Sequence, residues 1–248
     1  MNVHIGTAPD NWGVWFSSDP KQTPWDRYLD EVVEAGYNCT ELGPPGYLPA
    51  DPKVLEKELG RRNLTACGTV VMRHLEDSGC WPILRQDVLT MGALLQGLGA
   101  KYLVVIDDVY SNLFTGEFTL PKTLDSAGWQ SLIATTHRVA ELARSKVDLE
   151  VVFHPHAETH VEYEDQIEAL LAQTDPELVS LCLDTGHHAY RWRRAGVLLP
   201  KTPCPNSVPA SKKHRSSGSG QGTRGEHSFR DRRRHGHVLR ARAGRSRF

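Results

Sequence analysis

Two rhythms of apolar residues alternate along the first 190 positions. Short, nearly continuous apolar runs begin near Val3, Asn38, Leu64, Tyr102, Leu149 and Val179. Runs of that length and continuity read as strands buried on both faces. A stretch of helical periodicity fills each gap between them. After Thr23 and Pro24, residues Trp25, Tyr28, Leu29, Val32 and Val33 recur at 3.6-residue spacing and stop at Gly36, which predicts a helix with Thr23 as N-cap and Pro24 as its first residue. Asp51 and Pro52 open a second helix in the same manner, with Leu55 and Leu59 on one face and Gly60 near its end. A third carries Val88, Met91, Leu95 and Leu98 before Gly99, a fourth runs from about Ser126 to Arg144, and a short fifth carries Ile167, Leu170 and Leu171.

Strands of this kind alternating with amphipathic helices predict an α/β fold with a helix-covered parallel sheet. Two architectures satisfy that pattern, a doubly wound sheet and a (β/α)8 TIM barrel. Polar residues separate them. Glu41, Asp107 and Asp108, His154 and His156, and Asp184 with His187 stand at or just beyond the carboxyl ends of different strands, where barrel enzymes place their chemistry. No GxGxxG follows the first strand, which counts against a dinucleotide fold. The expectation is a TIM barrel of which about six β/α units are visible.

The richest chemistry lies at two neighbouring strand ends. Leu149 to Phe153 deliver His154 and His156, which alternation places on one side of an extended chain. About thirty residues later Leu181 to Leu183 deliver Asp184 and then His187. Imidazole and carboxylate ligands from adjacent strands suit a divalent ion with positions left open for substrate oxygens. Capping or surface histidines are the plain alternative. For Asp107 and Asp108 the plain alternative is a turn or N-cap role, and for Trp12 and Trp15 it is packing.

Four segments carry a family likeness: TAPDNWGVWF (Thr7 to Phe16), ELGPPGYLP (Glu41 to Pro49), FHPHAETHVE (Phe153 to Glu162) and LDTGHHAY (Leu183 to Tyr190). On these the chain resembles the xylose-isomerase-like barrel superfamily of sugar isomerases and epimerases, nearest to members related to inosose dehydratase. The resemblance implies a metal-dependent sugar or sugar-phosphate isomerase or epimerase working through an enediolate on a polyhydroxylated carbonyl substrate, with an inosose-type dehydratase as the alternative. It implies a divalent metal, Mn, Co, Zn or Mg, held by Asp184 and by the end of the preceding strand, where His156 is the first choice and His154 and Glu162 are further candidates. His187 and Glu41 become the expected catalytic residues, and Trp12 and His154 the expected substrate contacts. The expected partner is a small sugar or inositol-derived molecule, and a homo-oligomer is left open.

Charge divides the chain at the end of the last motif. Residues 1–190 hold 13 Lys and Arg against 28 Asp and Glu, a net −15, while residues 191–248 hold 16 against 2, a net +14. The second part is arginine-rich, mixed with Ser, Gly, Pro and His, and its composition predicts a disordered basic tail behind a partial barrel of residues 1–190. The family pattern breaks at Trp192. Read one base later, a tryptophan codon followed by an arginine codon gives glycine. The codons for Trp192 to Lys213 can then be chosen to restore a strand with an HLK pattern, and those for Phe229 to Arg240 a glutamate, so a frameshifted terminus is the leading expectation. An inactive truncated product whose arginine-rich tail binds nucleic acid nonspecifically is the rival.

Other classes are excluded on composition. There is no run of eighteen apolar residues and no basic-then-apolar start, so neither a membrane span nor a secretory leader is expected and the expected address is cytoplasmic. Five scattered cysteines without a CxxC pair give no disulfide framework or zinc knuckle. Endonuclease IV shares the barrel and a DxxH pattern, but a net −15 over residues 1–190 is the wrong sign for a duplex-binding face. No specific nucleic-acid partner is expected.

Overall fold

The computed structural model describes residues 5–187. The basic segment from Arg191 onward, its expected disorder, the expected domain boundary at residue 190 and the frameshift reading all lie outside the described residues. So does Val3, where the first strand was expected to begin.

Six strands form one parallel sheet in sequence order: β1 (Gly6–Thr7), β2 (Cys39–Glu41), β3 (Thr65–Arg73), β4 (Tyr102–Asp107), β5 (Glu150–Phe153) and β6 (Val179–Leu181). Between them run α1 (Trp25–Glu34), α2 (Pro52–Gly60), α3 (Trp81–Gly97), α4 (Ser126–Val147) and α5 (Glu164–Gln173). Every strand pairs in parallel with its sequence neighbour. Six units of a TIM barrel are therefore present among the described residues, where a closed barrel uses eight. No described helix is long and apolar enough to cross a membrane.

Local chemistry sets the helix starts. The Asp51 carboxylate accepts from the Lys53 and Val54 amides, and Pro52 occupies a position where no N–H is needed. The first helix begins one residue later than the sequence predicts. Pro24 has an extended ψ of 141° and is itself the N-cap, while the Thr23 carbonyl accepts from the Tyr47 hydroxyl at 2.8 Å. Thr23 is thus tied to a neighbouring loop and does not cap the helix.

The sheet has one face against the helices. Leu103 and Val105 of β4 and Phe153 of β5 are fully buried and belong to the apolar core with Leu84, Val88 and Leu95 of α3 and Leu132 and Val139 of α4. Each such side chain contributes about 1.5–3 kcal/mol on burial. Register pairs Val105 with Phe153, so these two residues share the helix-covered face. By alternation Asp107 shares that face, whereas His154, one residue beyond Phe153, lies on the other.

Helices α3 and α4 meet at Gly92, where an added Cβ would stand 2.6 Å from Val147 Cγ2. In an exposed helix, Gly→Ala gains about 1 kcal/mol. Here the overpacking cost of about 1–3 kcal/mol wins. Gly92→Ala should therefore lower stability by about 1 kcal/mol in urea unfolding, and a gain in stability would show that the two helices have room to separate.

Candidate metal centre

The carboxyl end of β5 and the segment after β6 meet on the face of the sheet away from the helices. Backbone pairing runs past both strands, with the His154 amide donating to Val105 O at 2.9 Å and the Cys182 amide to Phe153 O at 2.8 Å. That ladder fixes where the next side chains point. One donor atom from each of His154, Asp184 and His187 falls within 4.8 Å of the others. His154 Nε2 is buried without a hydrogen-bond partner and faces Asp184 Oδ2 at 4.0 Å.

Asp184 divides its two oxygens between two tasks. Oδ1 accepts from the Gly186 amide at 2.6 Å and the His187 amide at 2.9 Å, holding the helical turn that opens at Thr185. Oδ2 is left to face the histidine. Burial pushes the carboxyl upward, but the His187 and Gly186 amides and the neighbouring imidazoles outweigh it, so Asp184 titrates below the usual carboxylate range. His154 is pushed down to about 4 by burial and then by the neighbouring His156. His156 is lowered by burial and by His187. Neutral imidazoles beside an ionised carboxylate form the protonation state a divalent cation requires.

His156 lies against His187 with ring centroids 3.9 Å apart, and 5.8 Å from the His154 ring. Its Nδ1 is 2.7 Å from Ala157 O. A carbonyl can only accept, so Nδ1 carries the proton and Nε2 the lone pair. His156 is nevertheless outside the converging set of three donors.

The remaining expected site residues are distributed elsewhere. Glu162 is buried with Oε1 accepting from the Tyr110 hydroxyl at 2.8 Å and Oε2 from the Glu158 amide at 2.7 Å. Both oxygens thus have hydrogen-bond partners, and Glu162 is not among the three residues whose donor atoms converge. The Trp12 indole N–H donates to Glu31 Oε2 at 2.7 Å, and its ring meets Tyr28 edge-on at 5.0 Å, packing that joins it to α1. Trp15 is exposed. Glu41 ends β2 with a carboxyl raised first by burial and then by Asp10. Burial raises the Cys182 thiol, and Glu41 and Asp184 raise it further.

A second group, Glu76, Asp107 and His160, also meets the distance criterion for a metal. Sequence reasoning placed Asp107 at a strand end but missed Glu76 and His160. The latter stands inside the FHPHAETHVE segment, two residues before Glu162. This group differs from the first in one respect: both ring nitrogens of His160 already have partners, Asp107 Oδ2 at 2.8 Å and Pro121 O at 3.0 Å.

No family model matches the chain. It is similar to the inosose dehydratase of Lacticaseibacillus casei, 29% identical over 200 residues, covering 75% of this chain and 63% of that relative. The chain thus spans less than two thirds of the length of the curated relative it matches. Among solved structures it is similar to an L-ribulose 3-epimerase, with a TM-score of 0.59 and 16% identity over 79% of this chain and 65% of the other. It is also similar to a xylose isomerase-like TIM barrel protein from Mycobacterium smegmatis in complex with magnesium, with a TM-score of 0.58 and 16% identity over 74% of this chain and 65% of the other. The chain is a homologue of the inosose dehydratases and carries the xylose isomerase-like TIM-barrel fold.

Proposed function

We propose that the strand-end cluster is a divalent metal centre serving proton abstraction beside a carbonyl in a polyhydroxylated, sugar- or inositol-derived substrate. One observation carries the reading: the buried, unpartnered His154 Nε2 stands 4.0 Å from the free oxygen of Asp184, within a three-donor set completed by His187. An uncompensated buried nitrogen costs free energy, and a cation between imidazole and carboxylate removes that cost. His154, Asp184 and His187 would hold the ion. When bound, it would polarise adjacent hydroxyl and carbonyl oxygens and lower the cost of negative charge developing between them.

The chain's own groups then handle the proton. Glu41, its carboxyl raised by burial and then by Asp10, is the carboxyl we assign to acid–base exchange with the substrate carbon. His156 offers the other basic atom, its Nε2, with the ring orientation fixed through Nδ1 and Ala157 O. Return of the proton to the carbon gives isomerisation or epimerisation, and loss of a β-hydroxyl gives dehydration. Dehydration is the second reading, and similarity to an inosose dehydratase favours it.

The test is solvent exchange. The full chain, loaded in turn with Mn²⁺, Co²⁺ or Zn²⁺, is incubated with an inosose in D₂O and followed by proton NMR and ultraviolet absorbance. Deuterium incorporation beside the carbonyl is the expected result, with a new ultraviolet chromophore if water is lost. No exchange with any of the three metals would overturn the reading.

A further inference from the structure

His160 is 2% exposed and lies in the β5–α5 segment. Four groups face its ring. Asp107, at the end of β4, lies 2.8 Å from Nδ1, and the Pro121 carbonyl lies 3.0 Å from Nε2. Glu76, just after β3, brings Oε2 to 3.9 Å from Nδ1 without a hydrogen bond. The Tyr110 ring lies 5.9 Å away. Beyond Glu76, His74 is 3.4 Å from its other oxygen and 3.9 Å from Asp108.

A backbone carbonyl only accepts, so Nε2 donates to Pro121. Asp107 Oδ1 accepts from the Leu75 amide at 3.0 Å, and Oδ2 accepts from the His160 amide at 3.2 Å. With two backbone N–H groups donating to it, the Asp107 carboxylate is an acceptor toward the ring too, which makes Nδ1 a donor as well. Burial would lower the His160 pKa, but Asp107, Pro121 and Glu76 together raise it.

The segment that His160 anchors is the one leaving β5 through His154 and His156. It has no regular structure between Phe153 and Glu164, and Glu158 within it has a φ of 66°, a strained value for glutamate. Thr159 Oγ1 donates to the His156 carbonyl at 2.9 Å, so the residue beside His160 is tied to the histidine pair. We propose that His160 is a buried imidazolium whose clamp between Asp107 and Pro121 positions the His154–His156 segment at the metal centre. The positioning half rests on the metal reading above, and the charge does not.

Ring nitrogens of the full chain, ¹⁵N-labelled at histidine, are read by long-range NMR at pH 7.5 without metal. Both His160 nitrogens should appear protonated, the signal being assigned by its loss in His160→Gln. An unprotonated nitrogen would overturn the cation. Glu76→Gln should leave the ring protonated, because Glu76 makes no hydrogen bond to it. Asp107→Asn should return the ring to neutrality and weaken Zn²⁺ binding about tenfold, comparable to losing a partner behind a ligand. Unchanged Zn²⁺ affinity in Asp107→Asn would overturn the positioning role. Absence of Zn²⁺ binding by the wild-type chain would overturn the metal reading and the positioning role together, with protonated ring nitrogens still supporting the cation.

Discussion

Replacing Asp184 by alanine should reduce Zn²⁺ affinity by more than about 100-fold, because changes to groups merely behind a metal ligand already cost 10–100-fold. The single carboxylate in the three-donor set supplies its only negative charge. Without it, two neutral imidazoles would have to hold a dication unaided. Any metal-dependent exchange should fall by roughly 10³, the rate equivalent of several kcal/mol of lost charge stabilisation. Alanine also removes the acceptor of the Gly186 and His187 amides, which by itself costs about 1 kcal/mol. Asp184→Asn separates the two effects, since its amide oxygen keeps the turn while the charge is gone. Calorimetry should show both variants failing to bind Zn²⁺, with only the alanine variant also melting early. Zinc binding by Asp184→Asn at wild-type affinity would sink the assignment. Wild-type binding should be tighter for Zn²⁺ than for Mg²⁺, since two of three donors are imidazoles.

The strands were legible because burial on both faces leaves a period-free apolar run. Tyr102 to Asp107, Glu150 to Phe153 and Val179 to Leu181 begin within a residue of where that signal starts. Asp51 was legible as a cap because its role is local, settled within three residues. Thr23 was not, because its carbonyl is claimed by Tyr47, 24 positions away. The same distinction governs the site. Asp184 and His187 are spaced by one turn and come together through two local amide bonds. Glu162 and His154 could be ranked only by knowing which partners each would meet. Tyr110, 52 residues distant, takes one oxygen of Glu162, whereas nothing takes Nε2 of His154. Asp107 and His160 are likewise 53 residues apart, and nothing in their local sequence announces the pair.

Acid should destabilise the metal-free chain through His154. Its pKa is 6.5 in the unfolded state and about 4 in the fold, so the unfolded chain takes up a proton that the native chain refuses. Its contribution is complete above pH 6.5 and is lost as pH falls toward 4. The shift corresponds to on the order of 3 kcal/mol, and the side chain is only 16% exposed, so solvent screening leaves most of it. In a unit of this size that is roughly 6–12 °C in Tm. His156 acts in the same direction. Glu41 and Glu76, whose pKa values are raised, act oppositely as they protonate, and so does His160, whose raised pKa gives a stabilising contribution that is complete only below the unfolded value of 6.5. A variant comparison isolates the histidine. Between pH 7.5 and 4.5 the wild type should lose on the order of 3 kcal/mol more than His154→Gln, which has no proton to gain. Zn²⁺ should raise the wild-type Tm at pH 7.5 and much less at pH 4.5, where protons compete for the imidazoles. Parallel stability curves for wild type and variant would mean that His154 is solvated enough to titrate normally, and the dry, unpartnered nitrogen on which the metal centre rests would be lost with it.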